Sequence, residues 1–185
     1  MNPAGTCKIG PREGPEHKYF FNMQSTKSNQ IRHLSVKLNT TFEKFTRQLE
    51  GALGRFDPEQ IADHFDAPTS LEETIKKMQG YEGLMLFNKY DHGALLTAIG
   101  APRNAIHYTI GNPLIASAMT QYELRAGLYA PLQALVYEGE NMTAYIEYDL
   151  PSDLFSQFDN ANVNLTGRSL DTKFKNLIQM ADFQG

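Results

Sequence analysis

Residues Ile106 to Ile115, I-H-Y-T-I-G-N-P-L-I, constrain the fold more than any other stretch. Ile106, Tyr108 and Ile110 alternate with His107 and Thr109, the period-two pattern of a strand. Gly111 leaves the backbone free in φ. Asn112 is a favoured helix N-cap, and Pro113 suits the first helical position, where its missing N–H costs nothing. The stretch therefore predicts a strand that passes through a glycine directly into a helix. Such a junction gathers free N–H groups and the positive end of a helix dipole at one point. That point can hold an anion or a carbonyl oxygen, but it does not name a reaction.

The rest of the chain is read outward from there. The first 29 residues hold Pro3, Gly5, Gly10, Pro11, Gly14 and Pro15 without sustained periodicity. They read as a disordered leader in which Tyr19, Phe20 and Phe21 are a short apolar patch. A single α+β domain is expected over residues 30–185. Ile31, Leu34, Val36 and Leu38 suggest its first strand. Thr40 and Glu43 form a capping box for a helix whose core face is Phe42, Phe45, Leu49 and Leu53. Asp57 and Pro58 open a short helix with Ile61 and Phe65 as its contacts. Ser70 and Glu73 form a second box, before Leu71, Ile75 and Met78.

Leu84 to Phe87 is a continuous apolar run, read as a central strand buried on both faces. A short helix from Ala94 to Ile99 follows, capped by Asp91 or His92. After Pro113 the helix turns Ile115, Met119 and Tyr122 inward. Leu132 to Tyr137 and Met142 to Tyr148 read as an antiparallel hairpin around Glu138–Asn141. A short helix around Leu154 precedes a last helix with Leu170, Phe174, Leu177, Ile178 and Ala181 in one stripe. The fold class expected is α+β: a mostly antiparallel, five-stranded sheet with helices packed on one side.

Three segments in this order resemble a known family. They are Tyr90-Asp91-His92, then Ile110-Gly111-Asn112-Pro113, then Gly127 to Glu138, G-L-Y-A-P-L-Q-A-L-V-Y-E. The chain resembles the domain of unknown function 302 over roughly residues 82–150, with the helices at 40–79 and 152–182 outside the shared core. The resemblance implies a small α+β domain, often dimeric, and no settled activity or catalytic residues.

Charge excludes some functions. A net charge of −4 without a Lys/Arg cluster gives nucleic-acid binding no support. A single cysteine, Cys7, leaves no disulfide framework or thiolate cluster. No apolar run is long enough to cross a membrane, and a cytoplasmic location is expected.

Asp91 and His92 are the candidate catalytic pair. A histidine titrates near neutrality and a neighbouring carboxylate can orient it. Adjacent strand residues point to opposite faces, so the two share a site only if the chain turns at Gly93. The alternative is that Asp91 caps a helix and His92 bonds to backbone. Asn112, Gly111, Tyr90, Tyr108 and His107 are the candidate ligand-binding residues. His92 and Asn112 would face one cavity if their strands are neighbours and run parallel. No paired histidine spacing marks a metal site, no cofactor motif occurs, and no nucleophile elbow is present. Two functions follow. One is a homodimeric protein that binds a small anionic or carbonyl-containing molecule beside the Gly-Asn-Pro turn. The other is a cofactor-independent lyase, isomerase or cyclase with His92 as general acid or base.

Overall fold

The computed structural model of the chain describes residues 26–62, 64 and 68–183. The leader expected over 1–29 falls mostly outside the described residues, as does Phe65. Of its last residues, Lys27 donates to the Gln157 carbonyl and to Asp159 (3.0 Å), and Asn29 lies 3.4 Å from Gln157.

The elements are β1 (His33–Lys37), α1 (Phe42–Ala52), β2 (Gly54–Arg55), α2 (Glu59–Ala62), α3 (Pro68–Met78), β3 (Met85–Asp91) and α4 (His92–Ala98). They continue with β4 (Ala105–Gly111), α5 (Pro113–Thr120), β5 (Leu132–Glu138), β6 (Ala144–Asp149), α6 (Pro151–Ser156) and α7 (Ala161–Ala181). The α+β class stands. The five-stranded, mostly antiparallel sheet is corrected: the sheet is mixed and six-stranded, in the order β1-β6-β5-β4-β3-β2. The additional strand is β2, which runs parallel to β3 with Gly54 opposite Met85 and Arg55 opposite Leu86. Two residues are too few to show an alternation, so the sequence reads Gly54 only as a helix stop. What makes them a strand is backbone: Gly54 N donates to Leu84 O and Phe56 N to Leu86 O, both at 3.1 Å.

Close approach explains the glycine. A Cβ on Gly54 would lie 1.8 Å from the Met78 carbonyl oxygen, and one on Gly80 would lie 2.1 Å from Gly54 N. The chain leaving α1 and the chain leaving α3 thus cross at two glycines, a contact that no side chain allows.

The helices do not all sit on one side. α1 and α7 cover one face, where Phe45, Leu49, Leu170, Phe174, Leu177 and Ile178 pack on Tyr108, Ile110, Val136 and Ile146. Each such side chain contributes about 1.5–3 kcal/mol when fully buried. Ile61 of α2 and Ile75 and Met78 of α3 form a second cluster with Met85. Leu84 and Leu86 belong to the first cluster, so Met85 between them faces the other way. The apolar run into β3, Leu84 to Leu86, is buried on both faces, while the strand is exposed from Asn88 to Asp91 and lies next to the sheet edge rather than at its centre.

Two expected caps differ. Thr41 rather than Thr40 caps α1, its hydroxyl accepting from Lys44 N at 3.2 Å, while the Thr40 N–H donates to Asp182 (3.2 Å). α3 begins at Pro68, so Ser70 lies inside it and pairs with His64 at 3.0 Å. Tyr122, expected inward, is 54% exposed because the chain leaves α5 at Gln121.

Candidate functional site

Asn112 does what its position predicts and more. Its Oδ1 accepts from Leu114 N (2.8 Å), closing the open start of α5, and Pro113 occupies the first turn. Its Nδ2 donates to Gly83 O at 2.7 Å, tying α5 to the turn before β3. That turn is itself held from α7: Lys173 Nζ donates to Glu82 O and Asn176 Nδ2 to Glu82 Oε1, both at 2.7 Å. The Asn112 side chain is thus 6% exposed with both polar atoms engaged.

Beside this junction lies a cavity of about 290 Å³. Gly111, Asn112 and Pro113 form one side; Ile115, Ala116, Ser117, Met119 and Thr120 of α5 form another. Phe56 and Phe87, stacked with ring centroids 4.3 Å apart, form a third. Leu132, Phe155 and Leu170 lie at its buried floor, and exposed Ser117 lies at its rim. Among the described residues no charged side chain lines it. Gly111 packs closely on two other lining residues: a Cβ there would meet Pro131 Cβ at 3.2 Å and Phe87 Cε2 at 3.6 Å.

The donors of α5's first turn are mostly consumed. Leu114's N–H goes to Asn112 Oδ1, Pro113 has none, and Ala116's goes to Asn112 O (2.9 Å). Among the described residues the Ile115 N–H has no protein acceptor, and neither has the Thr120 hydroxyl.

His92 does not share this cavity. β3 and β4 are neighbours but antiparallel, with Asp91 opposite Ile106 and Met85 opposite Gly111. His92 and Asn112 therefore sit at opposite ends of the sheet, and the shared-cavity expectation is corrected. Its condition, parallel strands, could not be read from either strand alone. Asp91 and His92 do not form a pair either. Asp91 is the N-cap of α4, its Oδ1 accepting from Ala94 N at 2.8 Å. The chain turns at Gly93, where a Cβ would lie 2.5 Å from Arg103 O.

His92 joins different neighbours. Its ring centroid is 6.2 Å from that of His107, which is 6.0 Å from Tyr90. These side chains stand on the sheet face opposite α1 and α7, in a row that runs Tyr90, His107, Leu135, Glu147, Ser35 across five strands. Tyr108 faces the other way: it is fully buried and its hydroxyl donates to Glu50 Oε1 (2.9 Å), which Lys89 Nζ also meets at 2.8 Å. Burial first, and the Glu50 charge second, push the Tyr108 pKa far upward, so it stays a neutral core donor. The sequence named Tyr90 and Tyr108 together; the strand alternation separates them.

The open face also holds a cluster the sequence reading missed. His33 Nδ1 is 2.8 Å from Asp149 and its Nε2 3.3 Å from Glu147. Ser35 Oγ (3.0 Å) and Tyr137 Oη (2.8 Å) donate to Glu147 Oε1. Only the β1–β6 pairing, between strands more than a hundred residues apart in sequence, brings these residues together. Among the described residues no group of three or more His, Cys, Asp or Glu is placed to hold a metal ion. No described helix is long and apolar enough to cross a membrane.

The family model described as "Domain of unknown function DUF302" matches residues 59–181. The match therefore takes in α2, α3, α6 and all of α7, more than the 82–150 core that the three motifs marked. The chain is also similar to the crystal structure of an uncharacterized conserved DUF302 protein from Bacillus stearothermophilus. The TM-score is 0.58 at 16% identity, covering 80% of this chain and 97% of that one, a likeness of fold. No curated protein matches the chain.

Proposed function

The chain belongs to the DUF302 family, and from that premise we propose that it is a small-molecule-binding protein whose site is the cavity beside the Gly111-Asn112-Pro113 turn. One observation carries this reading: a cavity with apolar walls lies where a strand hands over to a capped helix, with Gly111, Asn112 and Pro113 among its lining residues. A buried, rigid wall and a few polar groups make up the usual form of a ligand site. Gly111 lines the cavity, and Asn112 holds the wall in place rather than touching the ligand. The reading keeps a cytoplasmic, symmetric homodimer, for which the unpaired edges of β1 and β2 are the physical motive.

The test is to fill the cavity. Ala116→Phe, on the helical wall, should abolish saturable binding of small carbonyl compounds while leaving the melting curve within a few degrees of the parent. Gly111→Val should do the same with some loss of stability. Binding that survives Ala116→Phe unchanged would remove the site.

A second reading rests on the contact of His92 with His107, which in turn stacks on Tyr90. There His92 is a general acid or base for a lyase, isomerase or cyclase on the open face, and His107 its neighbour. Turnover that is lost in His92→Ala but kept in Ala116→Phe would establish it over the first.

A further inference from the structure

We infer that the cavity selects an uncharged, compact aromatic carbonyl compound and rejects carboxylates. This rests on the reading of the cavity as the ligand site and narrows it.

The argument begins with charge. No described lining residue is charged, so an anion moved into the cavity would lose its hydration without gaining a counter-charge. The helix start does not make up for this. Leu114's and Ala116's N–H groups are already taken, and Pro113 has none, so the positive end of α5 presents the single N–H of Ile115. A carboxylate asks for several donors; a carbonyl oxygen is satisfied by one or two.

The donor that meets the carbonyl oxygen stands at the other end of the same helix, about 7.5 Å of rise beyond Ile115, so the two donors do not share one oxygen. Thr120 lines the cavity and its hydroxyl has no protein partner among the described residues. Its methyl carbon is turned toward Gly127, 3.5 Å from where a Cβ would be, which leaves the hydroxyl a different direction. The remaining walls suit a ring. Phe56 and Phe87 are stacked 22° from parallel, Phe155 is fully buried at the floor, and Gly111 offers a flat backbone. At about 290 Å³ the space is at the lower end for ligand pockets, which limits the occupant to a single ring with a short substituent.

The experiment is an NMR titration of the full chain with acetophenone, benzoate and ethylbenzene, repeated on Thr120→Val and Ala116→Phe. Acetophenone should shift resonances of Gly111, Met119 and Leu132 and bind at least about tenfold more tightly than benzoate, the worth of one hydrogen bond against an unpaired charge. Thr120→Val should weaken acetophenone about tenfold and leave ethylbenzene unchanged, which also shows that the variant is folded. Benzoate binding as tightly as acetophenone, with both lost in Ala116→Phe, overturns the selectivity and keeps the cavity as the site. Equal acetophenone affinity in Thr120→Val and the parent removes Thr120 as the donor and overturns the proposed recognition. Absence of cavity shifts with all three probes overturns both this inference and the reading beneath it.

Discussion

At one end of the β3–β4 pair Met85 lies opposite Gly111 and both are buried; at the other end Tyr90 lies opposite His107 and is 54% exposed. The buried end has shape, apolar walls and few polar atoms left unused. The exposed end has two histidines and a tyrosine in ring contact, with Tyr90 and His92 exposed and His107 half-buried between them. Enclosure and titratable chemistry are thus separated by the length of one strand pair. A proton-transfer site works best when its groups and its water exclusion coincide. Here they do not, and this is why we place the proposed binding site at the enclosed end.

That contrast can be broken most sharply at the cavity floor. Phe155 is fully buried there, so Phe155→Ala should cost about 3–5 kcal/mol in chemical denaturation. A loss below about 1 kcal/mol would mean the floor is loosely packed and the enclosed end is not enclosed. The two caps give the next comparison. Asn112→Ala removes a cap and the bond to Gly83 O, about 2 kcal/mol together. Asp91→Ala removes one exposed cap, about 1 kcal/mol or less. Equal losses would erase the distinction between the ends.

The open face adds a pH signature. Asp149 first, and Glu147 second, raise the His33 pKa above its usual 6.5. The stability His33 contributes is therefore full below pH 6.5 and is lost as pH rises through the raised value. Tyr137 first, then His33 and Ser35, hold Glu147 below its usual 4.5, so its contribution is full above that pH and lost as pH falls through the lowered value. The contact between β1 and β6 should be firmest between about pH 4.5 and 6.5, visible as the slowest amide exchange in β1. His33→Gln should flatten the upper limb; an unchanged profile would show that His33 does not titrate with folding. The smallest effect belongs to the exposed histidine: His92→Ala should change stability by no more than about 0.5 kcal/mol. A larger loss would make that end structural.

Local chemistry was legible in the sequence. The alternation from Ile106 to Ile110, the Asn112 cap and the stripe from Leu170 to Ala181 all appear in the structure where the residues put them. Pairing direction was not legible, and the candidate site depended on it. Nothing in the strands around Asp91 and Gly111 states whether they run together or against each other, so a junction read correctly was joined to the wrong partner. The Phe56 wall was out of reach for a related reason. Its place follows from β2, two residues whose only mark is a pair of backbone hydrogen bonds. The His33–Glu147 contact spans 114 positions of the chain, a separation that no motif encodes.

The crossing of Gly54 and Gly80 has a consequence for how such a chain can vary. It pinches residues 55–79 into a loop with touching ends, held at the neck by the bonds of Gly54 and Gly80 to Leu84 O, at 3.1 and 3.0 Å. Changing the length of a closed loop is inexpensive, about 0.6 kcal/mol per doubling. The length of this segment can therefore vary while the neck stays as it is, so long as side chains in the places of Ile61, Ile75 and Met78 still cover Met85. Phe56 lies at the very start of the segment. Variation there resets one wall of the proposed site while Gly111 and Asn112 stay unchanged.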